Sequence, residues 1–212
     1  MLNDLVNDGV ELFLCAEYPW KIPIPDGLRY GINLHPTMLP EGRGPTPIPW
    51  LFLQYPQHAG LSIHKLSNRF DAGDILLQQS IRLKADDNYD CYCQKLVQLA
   101  SDMLPAVLNN LASLYCSAQP QAGGSEWPTI GRQQRTIAWQ QPIAQILKTV
   151  RAFGSLGSFA SIAGTPITLF SADGVIAAHE LPAGTIVERS AERIVVAAND
   201  GFIVISHAIT TS

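Results

Sequence analysis

The chain has 212 residues, 47% of them hydrophobic and 15% charged, with 14 Lys and Arg against 18 Asp and Glu for a formal net charge of -4. That is enough chain for one or two globular domains, and the acidic balance argues against a large nucleic-acid surface. No apolar run approaches the roughly 20 residues that span a bilayer and the N-terminus carries no basic n-region, so the expectation is cytoplasm with no membrane partner.

Taken in order, residues 1–9 read as the end of a helix closed by Asp8-Gly9, with Gly9 as the C-cap. VELFLCA (10–16) is a nearly continuous apolar run, the mark of a buried parallel strand. Glu17-Tyr18-Pro19-Trp20-Lys21-Ile22-Pro23 is a loop whose aromatics either plug a core or face a ligand. GINLHP (31–36) is a second strand, and Pro36 is expected to end it. Residues two apart on a strand face the same side, so Asn33 and His35 point into one space. The loop 37–49 is stiff with Gly and Pro and carries Arg43 between two glycines, where it reaches either an anion or the loop's own carbonyls. WLFLQY (50–55) has the look of a helix, and LSIHKL (61–66) alternates as a strand with Ser62, His64 and Leu66 on one face. His64 is there a second imidazole near the site. Asp71, followed by Ala72 and Gly73, sits on a turn that brings a carboxylate to the same place. An amide, an imidazole and a carboxylate form a working set for acyl transfer: a donor to a developing oxyanion, a base and an orienting acid.

Asn33-x-His35-Pro36, Leu39-Pro40, Arg43-Gly44-Pro45 and Asp71-x-Gly73-Asp74 together resemble the signature of the folate-dependent formyltransferases. That family includes methionyl-tRNA formyltransferase and the sugar N-formyltransferases. The resemblance implies an α/β fold, with a partial Rossmann-like formyltransferase domain followed by a small OB-like β-barrel. It implies 10-formyltetrahydrofolate as donor, no metal, and Asn33, His35 and Asp71 as the catalytic set. Folate contacts fall by the same resemblance on Cys15, Ala16, Glu17, Tyr18, Trp20, Ile22, Asn68, Phe70 and Asp74. In that scheme Asn33 and a protonated His35 donate to the formyl oxygen, and Asp71 orients His35 and helps remove the amine proton.

Family members carry further strands before VELFLCA. The chain is therefore expected to be either a fragment or a short form that covers an open sheet edge by self-association, as a homo-oligomer. ILLQQSIRL (75–83) continues as a strand, and Ala85-Asp86-Asp87-Asn88 caps a helix over 89–114. Its apolar face is Leu96, Leu99, Ala100, Met103, Leu104, Val107, Leu108 and Leu111, and Pro105 is expected to kink or divide it. Cys15, Cys91, Cys93 and Cys116 have neither metal spacing nor the density of a secreted scaffold and read as reduced thiols.

The catalytic domain is thus placed at 1–116, a linker rich in Gly, Pro, Gln and Ser at 117–134, and a second domain at 135–212 with a helix near 142–152 and about five short strands. The segment Arg135-Thr136-Ile137-x-Trp139 through Val150-Arg151-Ala152 resembles the family's entry into its OB-type barrel, more weakly than the first signature. Phe159, Phe170 and Phe202 with Arg189 and Arg193 are too few for a nucleic-acid face. Up to Cys116 there are 8 basic against 12 acidic residues and beyond it 6 against 6, so neither half attracts phosphate. The expected acceptor is a primary amine on a small molecule, an amino sugar or amino-acid derivative. Methionyl-tRNA is the alternative, and a non-catalytic relative or fragment is the alternative of another class.

Overall fold

A computed structural model describes residues 2–18 and 20–210. They divide into two compact units, one from Met1–Leu51, Tyr55–Ala85 and Tyr92–Thr129, the other from Phe52–Gln54, Asp86–Cys91 and Ile130–Ser212.

The first unit is built on a four-stranded mixed sheet in the order β1-β2-β3-β4. Helix α1 (Leu2–Asn7) ends at Gly9, whose φ of +96° favours glycine, and leads into β1 (Leu12–Ala16). β1 runs parallel to β2 (Tyr30–Thr37), as the apolar run predicted, but it is an edge strand with Leu14 exposed. β2 pairs antiparallel with β3 (Ala59–Lys65), and β3 with β4 (Ile75–Ser80). β3 is buried along almost its whole length, so the expected alternation gives way to the continuous burial of a strand covered on both faces. β4 stops at Ser80, short of the predicted Leu83.

Pro36 does not end β2. The register shifts between His35 and Thr37, so the proline sits in a bulge where no ladder N–H is required. Its carbonyl accepts the hydroxyl of the buried Tyr92 at 2.9 Å. Helix α2 (Pro47–Leu53) starts at a proline, three residues before the predicted start, because a first-turn proline loses no helical bond.

Helix α3 (Tyr89–Asn109) is N-capped by Asn88, whose Oδ1 accepts the Cys91 N–H at 2.9 Å. Its buried stripe is Tyr92, Leu96, Leu99, Met103 and Val107, while Leu108 faces solvent. Pro105 leaves α3 undivided. It and Ser101, whose carbonyl it leaves unbonded, lie on the exposed face, where water replaces the lost bond. The break comes at Asn110, before α4 (Leu111–Cys116).

The stretch expected as linker is not free chain up to Thr129. Gln119 bridges to Ile75 and Glu126 to Arg43. Trp127 stacks on Tyr55 at 4.6 Å, and the Trp50 indole N–H donates to the Pro128 carbonyl at 2.7 Å.

The second unit holds α5 (Arg132–Arg135), α6 (Ile143–Phe153) and a five-stranded antiparallel sheet in the order β5-β6-β9-β8-β7. Its strands are β5 (Ser158–Ile162), β6 (Thr165–Ile176), β7 (Ile186–Arg189), β8 (Ile194–Ala198) and β9 (Gly201–Thr210), the number expected. Trp139, Ile146 and Val150 pack with Leu169, Val196 and Ile203 in its core.

Candidate active site

Register assembles the site. On β2 and β3, Asn33 stands opposite His64 and His35 opposite Ser62, and directly opposed residues share a face. Asp71 comes to that face from the turn before β4, at φ +48°, a left-handed conformation uncommon outside glycine. A Cβ at Gly73 would lie 1.9 Å from the Lys65 carbonyl oxygen, so this turn requires glycine. The amide of Gln121 donates to the carbonyls of Asp71 and Gly73 at 2.8 and 2.7 Å and holds the turn from outside.

One oxygen, Asp71 Oδ1, is the hub. It lies 3.2 Å from Asn33 Nδ2, 3.4 Å from His64 Nε2 and 3.5 Å from His35 Nδ1. The other, Oδ2, accepts the Gly44 N–H at 2.9 Å. Burial alone would raise the Asp71 pKa. In their charged forms the His64 and His35 imidazoles, together with the Gly44 amide, pull the other way and prevail, so it lies below the ordinary carboxylate value.

Backbone carbonyls only accept, and this fixes the imidazole protons. His35 Nε2–H donates to the Gly42 carbonyl at 2.8 Å, and His64 Nδ1–H donates to the Lys65 carbonyl at 2.8 Å. Burial lowers the His35 pKa, and proximity to His64 adds to this, against the opposing charge of Asp71 and the Gly42 bond. Neutral His35 therefore turns a lone pair at Nδ1 toward an ionised carboxylate. The site is arranged to receive a proton between those two atoms.

Arg43 is buried and serves the loop. Its Nε donates to Gln121 Oε1 at 2.9 Å and its Nη2 to the Gly123 carbonyl at 3.0 Å, so its structural partners lie in the stretch expected as linker rather than among the carbonyls of its own loop. Gly44, at φ +129°, would place a Cβ 2.6 Å from the Trp127 carbonyl oxygen.

Two hollows of about 410 Å³ each open on the cluster and share Tyr18, Asn33, Phe70 and Asp71. Cys15, Trp20 and Ile22 line one, and Glu17, His35, Pro45 and Pro47 the other. Tyr18 and Trp20 are 54% and 70% exposed, which rules out the core-plug alternative for both. Of the residues assigned to folate contact, Cys15, Glu17, Tyr18, Trp20, Ile22 and Phe70 line these hollows. Ala16, Asn68 and Asp74 line neither: the first two face solvent, and Asp74 is paired with Lys65 at 2.9 Å. Among the described residues no His, Cys, Asp and Glu group is arranged to hold a metal ion, and no helix is long and apolar enough to cross a membrane.

The sequence placed His64 near the site without a role and gave no sign of Gln121. The signal for His64 was its strand register opposite Asn33. Gln121 lay in a stretch whose composition reads as linker.

Residues 9–108 match the formyl transferase family, and residues 129–211 match the formyl transferase C-terminal domain. The methionyl-tRNA formyltransferase of Herminiimonas arsenicoxydans is 28% identical over 174 residues, 80% of this chain and 55% of that protein. The chain thus spans about half the length of this curated relative. The crystal structure of HypX from Aquifex aeolicus with tetrahydrofolic acid superposes with a TM-score of 0.81 at 19% identity, covering 95% of this chain and 36% of that one. The N-formyltransferase from Helicobacter canadensis, in complex with folinic acid and dTDP-3-aminofucose, gives 0.64 at 15% identity, covering 93% of this chain and 73% of that one. These two likenesses establish the fold.

Proposed function

The chain belongs to the formyl transferase family, and from that premise we propose that it moves a formyl group from 10-formyltetrahydrofolate to a primary amine of a small molecule. The observation that carries the reading is Asp71 Oδ1 with three side-chain nitrogens within 3.5 Å, at the foot of a groove lined by exposed aromatics.

The donor fits the hollow of Cys15, Trp20 and Ile22. It opens on Asn33 and Asp71, and flat apolar side chains suit a pterin ring. When bound, the donor supplies a carbonyl already activated by its folate nitrogen. The amine enters on the Pro45 and Pro47 side, and its lone pair forms the new C–N bond. The proton that the amine must lose passes, directly or through water, to the seat between His35 Nδ1 and Asp71 Oδ1. His35 then becomes a cation with its Nε2–H still on the Gly42 carbonyl, and its charge opposes the negative charge developing on the formyl oxygen. The same proton goes to the leaving folate nitrogen as the old C–N bond breaks. The products are a formamide and tetrahydrofolate, and the site returns to neutral His35 beside ionised Asp71.

The similarity to methionyl-tRNA formyltransferase favours a second reading, with methionyl-tRNA as acceptor. The net charge of -4 weighs against it, because affinity for RNA rests on basic side chains.

Trp20 provides the test, because Trp50, Trp127 and Trp139 are buried. Titration with 5-formyltetrahydrofolate should quench tryptophan fluorescence saturably, and Trp20→Phe should remove most of that response. An unchanged signal at millimolar ligand would defeat the reading. Formylation of methionyl-tRNA with no product from amino-sugar nucleotides would select the second acceptor class.

A further inference from the structure

We propose that His64 is a positioning residue that fixes the Asn33 amide so that its carbonyl oxygen, and not its NH2 group, faces the acceptor amine. The inference rests on the formyl-transfer reading and adds to it the group that orients the nucleophile.

His64 is 2% exposed and belongs to β3, an inner strand of its sheet. Its Nδ1–H is held by the Lys65 carbonyl at 2.8 Å, and in that tautomer Nε2 is the acceptor. That nitrogen lies 3.1 Å from Asn33 Nδ2, and Asp71 Oδ1 lies 3.2 Å from the same Nδ2. With 3.4 Å between Nε2 and Oδ1, the three atoms form a nearly equilateral triangle. Two acceptors thus converge on one amide nitrogen. Turning the amide over would set its oxygen against both a lone pair and a carboxylate, a repulsion too large to sustain in a buried site.

The orientation has a consequence on the other side of the amide. Among the described residues no hydrogen bond reaches Asn33 Oδ1, and every buried side-chain polar atom has a partner, so this oxygen is open. Asn33 lines both hollows. Its oxygen is therefore an acceptor in the groove where the amine arrives. A primary amine with its lone pair on the formyl carbon has N–H bonds left over, and one of them donated to Oδ1 sets the angle of attack. That bond strengthens as the nitrogen gains positive charge, so it acts on the transition state more than on the bound amine. This differs from the role expected from the sequence, in which Asn33 donates to the formyl oxygen.

The test uses the full chain and three variants: His64→Met removes the acceptor at similar volume, His64→Gln returns one, and Asn33→Ser assigns the signal. With asparagine labelled by 15N, the Asn33 NH2 protons should exchange with water at least about tenfold more slowly than those of exposed Asn68. His64→Met should lower that protection severalfold, leaving only what the Asp71 bond provides, and His64→Gln should keep it in full. In steady-state transfer from 10-formyltetrahydrofolate to dTDP-3-aminofucose, His64→Met should lower kcat about ten- to hundredfold with the donor KM unchanged, and His64→Gln should recover most of the loss. Asn33 protection unaltered in His64→Met, or equal kcat in the Met and Gln variants, would overturn the proposal. If His64→Met does not fold, slow exchange in His64→Gln still supports it and fast exchange refutes it. If the wild-type chain transfers no formyl group and binds no 5-formyltetrahydrofolate, the parent reading fails, and the exchange rates alone decide the orientation of the amide.

Discussion

Asp71 binds the Gly44 amide through Oδ2 at 2.9 Å while its other oxygen serves the side chains of β2 and β3. One carboxylate thus joins the turn after β3 to the loop after β2, and the site's charge and its shape depend on the same group. Asp71→Asn separates the two contributions. It keeps the volume but removes the charge, and it sets an NH2 against either Gly44 N–H or Asn33 Nδ2. Formyl transfer should fall by about 10² or more. Folding should persist, because the Asp71 and Gly73 carbonyls remain tied to Gln121. Single-turnover assays with circular dichroism check both halves, and transfer within fivefold of wild type would refute the assignment.

The pH dependence of stability follows from the two shifts at the site. His35 is lowered by burial, so the unfolded chain, whose imidazole titrates near about 6.5, takes its proton first as pH falls. Stability should therefore begin to drop below about pH 6.5 and level off once the folded-state pKa is passed. Asp71 is depressed, so its contribution is complete above about pH 3.9 and is lost only as pH falls through its folded value, further into acid. Both act in the same direction, at different pH. Urea midpoints from pH 4 to 8 should show the upper step in wild type and its loss in His35→Gln. Equal slopes for the two proteins between pH 5 and 6.5 would contradict the reading.

Gly73 offers a steric test with no charge involved. A methyl group there meets main-chain oxygen at 1.9 Å, a clash that no rotamer relieves. Gly73→Ala should displace the Asp71 turn and lower both stability and transfer, whereas Gly123→Ala, where a Cβ meets nothing within 4 Å, should cost only the strain of its positive φ. Parallel thermal melts decide it: equal losses would mean that the turn moves freely.

The parts of this molecule legible in the sequence are those that periodicity and local chemistry control. The central strands, the Asn88 cap, the pairing of Asn33 with His35 on one face and the return of Asp71 in a glycine turn all followed from spacing. What escaped was set by contacts distant in sequence. Pro36 stays in its strand because β3 leaves a bulge for it, and because Tyr92, 56 residues on, takes its carbonyl. Gln121 grips the Asp71 turn from a stretch whose composition gives no hint of order. The burial of Arg43 depends on that same stretch folding back.

Tyr92 leads to the last prediction. Its hydroxyl stands 2.9 Å from the Pro36 carbonyl and 3.0 Å from the Gly60 carbonyl, and it accepts the Gly60 N–H at 2.9 Å, all in a fully buried position. Burial also raises its pKa well above the ordinary phenol value, so the group stays a neutral donor across the working range. Tyr92→Phe keeps the ring and its packing but leaves a buried amide and a carbonyl unpaired, which costs about 1–3 kcal/mol for each unsatisfied group. Pro36 follows His35 directly, so loosening that carbonyl also loosens the end of β2 that carries the imidazole. Tyr92→Phe should therefore lower the urea midpoint and, at pH 7 and saturating donor, reduce kcat several-fold with donor affinity intact. A variant as stable as wild type would show that water replaces the hydroxyl. A stable variant with reduced kcat would show that the hydroxyl acts on His35 through the strand rather than on folding.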